Sequence, residues 1–208
     1  MSADTLPRPA TRPDRLCLFH VASEQAGYFT AEQARGCGYS RALLSHHARS
    51  GRFSRVRHGL YRLREYPSSP REHVVAAWLA VGKDLAVVSH ESALDLLGLS
   101  DLIPDAVHLT VPRSRRSLPS MWGVKVHTTE RPIGPDERWQ REGIVITSPT
   151  RSILDAAEKG ADPGQIELAV VQAVERGLAT APGLRRAASD RSRRVAELIE
   201  GALQKAAA

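Results

Sequence analysis

The sequence predicts an α+β protein: an N-terminal winged helix-turn-helix, followed by a mixed domain in which helices cover a small sheet. Two short helical segments, separated by a glycine-containing turn, directly precede a tight β-hairpin. Apolar strand patterns then recur between amphipathic helices through the rest of the chain. The 208 residues, 42% of them hydrophobic, are sufficient for two small domains.

The predicted winged helix-turn-helix covers residues 14–64 and begins with a helix that runs from Asp14 to about Gly27. The core face expected for this helix consists of Leu16, Leu18 or Phe19, and Ala22. Thr30 and Gln33 have capping-box spacing, so a short second helix is predicted to begin directly after Thr30.

The third helix is predicted to be the DNA-recognition helix. Ser40 is its expected N-cap, and Gly51 ends it. Leu43, Leu44 and His47 or Ala48 are assigned to its core face. Arginine reads guanine through two parallel hydrogen bonds, and serine and histidine can donate or accept at base edges. The predicted base-reading residues are therefore Arg41, Ser45, His46 and Arg49.

A wing is predicted from the two short alternating segments that follow this helix. His58-Gly59 supplies a two-residue turn in which glycine accepts a positive φ. Basic side chains on such a hairpin can lie along phosphates or enter a minor groove. The predicted backbone and wing contacts are Arg52, Arg55, Arg57, His58 and Arg62.

Positive charge is concentrated in the first third of the chain. Residues 1–64 contain eleven arginines, no lysine and four acidic residues, a net charge of +7, whereas the remainder is close to neutral. Such an asymmetry is typical of a polyanion-binding domain joined to a neutral domain.

The remaining organisation follows from composition and periodicity. Residues 1–13 are predicted to be a flexible tail, residues 65–70 a linker, and residues 71–208 a C-terminal α+β domain. A helix opened by Ser69 is expected to reach Val81. Residues 85–88 are predicted as a short strand or buried run, and Ser89 as the cap of a helix from His90 to Leu97. The further predicted strands are 107–111, 124–128 and 144–147, and the later helices begin at Ser148, Pro163 and Asp190.

No pattern in the sequence indicates an enzyme, a metal or a cofactor. His90-Glu91 begins like a zinc-protease motif, but Leu94 stands where the second histidine belongs, so His90 is interpreted as a capping or packing residue. Nucleotide-binding loops are absent, and the strands offer no carboxylate cluster for a nuclease. A phosphate at the helix after Ser148 is the alternative to a simple capped helix with Asp155 on its solvated side.

A basic cluster, the two cysteines and the apolar content bear on the partners and the cellular compartment of the protein. A second basic cluster, Arg113, Arg115 and Arg116, is interpreted as an extension of the DNA footprint, as a contact for an acidic partner, or as a solvated loop. Cys17 and Cys37 are too few for a disulfide framework and are expected as reduced, packed thiols. With no long apolar run and no signal-peptide pattern, the sequence predicts a cytoplasmic protein without membrane contact.

Several segments resemble the AbiEi family of type IV antitoxins. In the first third these are Gly27–Ala34, Gly38-Tyr39-Ser40 and the hairpin segment Gly51–Arg62. Later segments similar to the family's C-terminal region are Ser89–Ala93 followed by Leu97-Gly98-Leu99, the strand Val107–Val111, and Ile146–Asp155.

The resemblance implies a transcriptional autorepressor that binds inverted repeats in its own promoter. It also implies an antitoxin that opposes a nucleotidyltransferase toxin encoded nearby. An alternative is a protein-interaction module that neutralises a partner toxin directly, with DNA binding secondary. A nuclease-like C-terminal domain, which occurs behind similar N-terminal regions, would need acidic and lysine residues that are missing here.

Overall fold

The computed structural model describes residues 12–99, 101 and 103–206, and it divides the chain into two compact units, Met1–Gly82 and Lys83–Ala208. Apart from its last two residues, the tail predicted for residues 1–13 lies outside the described residues. Each unit combines helices with a small sheet, so the predicted α+β class is confirmed.

From residue 12 onward, where the structure describes it, the first unit contains four helices and a three-stranded antiparallel sheet of order β1-β3-β2. Its elements are α1 (Arg15–Ser23), β1 (Tyr28–Thr30), α2 (Ala31–Gly36), α3 (Arg41–Arg49), β2 (Phe53–Arg57), β3 (Leu60–Leu63) and α4 (Glu72–Val81). The sequence did not predict β1, which is only three residues long and gains its hydrogen bonds from β3.

Side-chain caps fix where α2 and α3 begin. Thr30 Oγ1 accepts from the Gln33 N–H at 3.1 Å, and Gln33 Oε1 accepts from the Thr30 N–H at 2.8 Å, which completes the predicted capping box. Ser40 Oγ accepts from the Leu43 N–H at 3.2 Å. These bonds satisfy N–H groups that a helix start otherwise leaves without partners.

The core of the first unit centres on the fully buried Phe29. Leu18 and Ala22 of α1, four residues apart on one face, pack into this core. The predicted inward positions Leu16 and Phe19 are instead exposed, Leu16 by 71%. The reason is that α1 has only nine residues and presents one narrow stripe to the core.

Cys17 and Cys37 form a disulfide, so the prediction of reduced thiols is wrong for this structure. The two segments lie side by side because the Asp14 N–H donates to the Cys37 carbonyl at 2.8 Å. The Cα atoms are 5.7 Å apart, within the range that a disulfide spans. The pair was missed because the residues are twenty positions apart in sequence and share no motif.

The boundary between the two units lies after Gly82 and not at the linker predicted for residues 65–70. Helix α4, assigned from the sequence to the C-terminal domain, packs against β1 and β3 of the first unit. Glu72 at its first position accepts from Arg62 Nη2 at 2.9 Å and from the Ser69 N–H at 3.3 Å. The helix begins at Glu72 with Arg71 as its N-cap and without a side-chain cap bond, so the predicted cap by the Ser69 side chain is wrong. The chain between β3 and α4 is folded onto the first unit.

Within residues 83–99, 101 and 103–206, the second unit contains a mixed five-stranded sheet of order β6-β5-β4-β8-β7 and five α-helices. Pairs β5–β6 and β4–β8 are parallel, and the other two pairs are antiparallel. The elements are β4 (Val87–Val88), α5 (His90–Leu97), β5 (Val107–Pro112), β6 (Val124–Thr129), β7 (Arg138–Arg141), β8 (Ile144–Thr147), α6 (Pro149–Glu158), α7 (Pro163–Glu175), α8 (Ala181–Ser189) and α9 (Arg193–Ala206). Among the described residues, no helix has the length and apolar character needed to cross a bilayer.

A buried ion network connects α6 to its surroundings in the second unit. Asp155 is only 5% exposed, so the expectation of a solvated carboxylate is wrong. Its oxygens accept from Arg151 Nε and from Arg191 Nη2, both at 2.7 Å. Arg151 also lies 3.2 Å from Glu137, so the buried charges compensate one another.

Replacement of Asp155 by alanine is expected to destabilise the second unit by about 3–5 kcal/mol, because it leaves the guanidinium groups of Arg151 and Arg191 without their shared carboxylate. Urea denaturation followed by circular dichroism measures the loss, and hydrogen exchange of α6 locates it. The matched control is Glu197→Ala, which removes an exposed carboxylate in the same i,i+4 relation to an arginine. Its effect should stay within about 0.5 kcal/mol, and equal losses in the two variants would contradict the network's role.

Candidate nucleic-acid interface

Helix α3 presents one polar face to solvent. Arg41, Ser45, His46 and Arg49 are all exposed, whereas Leu44 is fully buried. The structure therefore brings the four predicted base-reading side chains together on one nine-residue helix. Arg49 Nε is 3.4 Å from the Ser45 carbonyl, which holds the guanidinium along the helix.

The opposite face of α3 is fixed by His47. Its ring lies 4.9 Å from the Phe53 ring and 5.9 Å from the Tyr39 ring, measured between centroids. Burial lowers the pKa of His47, and the positive charges of Arg52 and His46 lower it further. The neutral ring acts as an aromatic packing group, and it joins α3 directly to the first wing strand.

The predicted wing is present as the β2–β3 hairpin. Arg57 pairs with Leu60, so the turn consists of His58 and Gly59, and Gly59 has a φ of +73°. The register shifts between Arg55 and Arg57, which leaves Val56 as an extra, exposed residue of a β-bulge.

Most of the predicted wing contacts are accessible. Arg52, Arg55 and His58 are exposed, and Arg57 is partly exposed. Arg55 Nη2 lies 3.3 Å from His58 Nδ1, so a strand side chain is held against the tip of the wing.

Arg62 forms contacts within the fold and does not lie free on the wing surface, where the predicted DNA contact would need it. Its side chain is only 12% exposed, and Nη2 donates to Glu72 Oε2 at 2.9 Å and to the Pro67 carbonyl at 3.1 Å. The guanidinium carbon also lies 5.5 Å from the centre of the Tyr28 ring. These contacts tie the wing to the start of α4, a pairing between distant residues that sequence spacing does not reveal.

The second basic cluster lies in the other unit. Arg113–Arg115 form one turn of 3-10 helix after β5, and Arg113, Arg115 and Arg116 are exposed. Arg113 pairs with Glu130, which reduces the net charge of the cluster. Its contribution to nucleic-acid binding stays a prediction.

The α6 N-terminus, considered from the sequence as a phosphate site, borders a cavity of about 690 Å³. Ser148 caps the helix by accepting from the Arg151 N–H at 3.4 Å. Arg131, Arg151 and Arg191 line the cavity, and each is paired with Glu137 or Asp155. These pairs compensate part of the positive charge, while Arg186 also lines the cavity. Ser148 acts as the predicted helix cap, and the phosphate alternative stays a prediction.

His90 does not stand alone, contrary to the sequence interpretation. It lies beside His108 of β5 and His127 of β6, and the three rings form a compact cluster. The available signal was weak: two histidines occur inside apolar strand segments, where an inward-facing polar side chain needs a partner.

Comparisons with known proteins agree with this architecture. Residues 18–64 match the family model described as "Transcriptional regulator, AbiEi antitoxin". The resemblance inferred from the sequence is thus confirmed for the winged helix-turn-helix, and the family's description supports a DNA-binding antitoxin role. No curated protein matches the chain.

The crystal structure of the RV2827C protein from Mycobacterium tuberculosis is similar in fold along most of the chain. The alignment covers 96% of this chain and 80% of that chain, with a TM-score of 0.62 and 18% sequence identity. This similarity extends through both units and concerns the fold alone.

Arg62 is partly buried and Arg55 is exposed, so replacing each by alanine should affect stability differently. Arg62→Ala should destabilise the first unit by about 1–3 kcal/mol, because it leaves the buried part of the Glu72 carboxylate and the Pro67 carbonyl without their donor. Arg55→Ala, on the exposed side of the wing, should change stability by no more than about 0.5 kcal/mol. Hydrogen exchange of β3 and α4 measures both effects. If Arg62→Ala is as stable as the unmodified chain, Arg62 has no structural role and again becomes a predicted DNA contact.

Proposed function

We propose that this chain is a non-catalytic DNA-binding repressor that recognises inverted repeats in its own promoter and serves as the antitoxin to a nucleotidyltransferase toxin. The match of residues 18–64 to the AbiEi antitoxin family supports the proposal. The observation that carries the DNA-binding part is the single exposed polar face of α3, packed through His47 and Phe53 against a basic wing.

The dimensions of α3 suit the major groove. Nine residues span about 14 Å at 1.5 Å per residue, and a B-DNA major groove of about 12 Å width admits one such helix. Arg41 lies at the N-terminal end, where recognition helices approach base edges. In the described part of the chain, neither Arg41 nor Arg49 forms an ion pair with a carboxylate, so both guanidinium groups are available for guanine.

The wing supplies contacts that do not depend on sequence. Arg52 and Arg55 are exposed, and within the described residues no carboxylate pairs with either. Arginines in this setting bind phosphates and release counterions from the duplex. The contact between Arg55 and His58 reduces the freedom of the wing tip before DNA is bound, which lowers the entropy cost of binding.

Substitutions on α3 and on the wing should therefore have different effects. Arg41→Ala should weaken binding to a duplex containing the promoter repeats by about 1–3 kcal/mol, with little change for a scrambled duplex. Arg55→Ala should weaken binding to both duplexes and reduce the slope of log K against log salt by about 1. Fluorescence anisotropy at several salt concentrations measures both quantities.

Arg193→Ala is the matched control, because it removes an exposed arginine from the second unit. Its affinity for both duplexes should equal that of the unmodified chain. Equal affinity of the unmodified chain for promoter and scrambled DNA would refute specific repression, even if binding itself is strong.

The antitoxin part of the proposal concerns the second unit. Neutralisation of the toxin can proceed by direct binding, and Trp122 offers a side chain on which to test this, since it is 93% exposed. Aromatic residues of this kind often dominate protein–protein binding energies.

Co-expression with a nucleotidyltransferase encoded beside the gene should restore growth, and Arg41→Ala should retain this protection while losing operator binding. If the toxin is bound directly, the complex should survive purification at high salt and Trp122→Ala should weaken it by at least tenfold, about 1.4 kcal/mol. Protection that disappears together with operator binding would show that the antitoxin effect is repression alone. Failure to protect at all would refute the antitoxin role.

A further inference from the structure

Three histidines from three separate elements meet in the second unit. His90 is the first residue of α5, His108 lies on β5, and His127 lies on β6. In the parallel β5–β6 pair, Thr110 is opposite His127, so His108 and His127 occupy neighbouring diagonal positions on one face of the sheet. The start of α5 places the third ring against the same face.

The rings are in direct contact. His90 and His127 stack with their centroids 3.7 Å apart, and the centroid of His108 lies 5.1 Å from that of His127. His127 Nε2 is 3.3 Å from His108 Nδ1. One ring nitrogen from each histidine can be chosen so that all three lie within 4.8 Å of one another.

Two of the three rings lie where a positive charge is disfavoured. Burial lowers the pKa of His90 to about 2, and the neighbouring His127 and His108 lower it further. Burial and His108 likewise lower the pKa of His127 to about 4.

Polar groups next to the rings orient them. Ser89 Oγ lies 2.8 Å from His90 Nδ1 and also 2.8 Å from Thr110 Oγ1. Glu91 Oε2 lies 2.8 Å from His108 Nδ1. Hydroxyl and carboxylate partners of this kind fix the tautomer and direction of metal-binding histidines.

The backbone at His90 adopts a strained conformation. Its φ is +53°, in the left-handed region that a non-glycine residue adopts at a cost of about 1–3 kcal/mol. Such strain concentrates at functional sites, because the surrounding structure must maintain it. His90 is 97% covered by protein, and its ring faces the two other imidazoles.

We propose that His90, His108 and His127 together bind one divalent transition-metal ion of the zinc class. Imidazole nitrogens suit zinc, cobalt, nickel and copper, whereas magnesium and calcium prefer oxygen ligands. Three protein ligands leave a fourth position for water. A cavity of about 200 Å³ is lined by Glu91 and by one of the three histidines, His108. Bound metal would link the start of α5 to two sheet strands and stabilise the second unit.

The test uses the full chain without a histidine tag, kept non-reducing so that the cysteines do not compete for metal. After treatment with a chelator, isothermal titration with Zn²⁺ should give one site per chain, and Co²⁺ should produce the visible absorption of a nitrogen-ligated ion. His127→Gln should lower Zn²⁺ affinity by at least about tenfold, and Glu91→Gln should lower it by about ten- to a hundredfold through the orientation of His108.

His73→Gln, which changes an exposed histidine of α4, is the control and should bind Zn²⁺ as the unmodified chain does. Circular dichroism verifies that each variant is folded. If His127→Gln does not fold, Glu91→Gln is the decisive variant. The proposal is overturned if the unmodified chain binds no Zn²⁺ at a stoichiometry near one. It is equally overturned if the folded cluster variants and His73→Gln bind with the same affinity.

Discussion

The packing of Phe53 determines how the first unit presents its polar surface. The ring lies 5.0 Å from Phe29 in the core and 4.9 Å from His47 on α3, while its own strand forms half of the wing. A single aromatic cluster thus fixes the third helix, the hairpin and the sheet relative to one another. Because aromatic side chains have few rotamers and large contact areas, this arrangement sets the separation between α3 and the wing.

Much of the first unit could be predicted because its signals are local. The capping residues Thr30 and Ser40 mark helix starts through bonds that reach only three residues ahead. Gly59 permits the backbone of a two-residue turn, and Leu44 defines the buried side of α3. The exposure of the four predicted base-reading residues follows directly from that single apolar position and the helical period.

The features that were missed depend on contacts between distant parts of the chain. Strand β7 is exposed throughout and has no apolar alternation, so only its pairing with β8 makes it a strand. Arg62 and Asp155 resemble surface residues in sequence, yet Arg62 is partly buried and Asp155 is buried, each paired with a residue ten or more positions away. The histidine cluster needs α5, β5 and β6 in place before its members become neighbours. No sequence period or motif encodes such contacts between distant residues.

The disulfide between Cys17 and Cys37 joins segments that the backbone already holds together through Asp14 and the Cys37 carbonyl. Cys37 is buried, and both sulfurs pack against the aromatic core. The covalent link adds to the backbone bond and the core packing that also join these segments. Its main thermodynamic effect falls on the unfolded chain, whose entropy it restricts. The oxidation state of this pair would accordingly alter how readily the unit unfolds, and with it the lifetime of the protein.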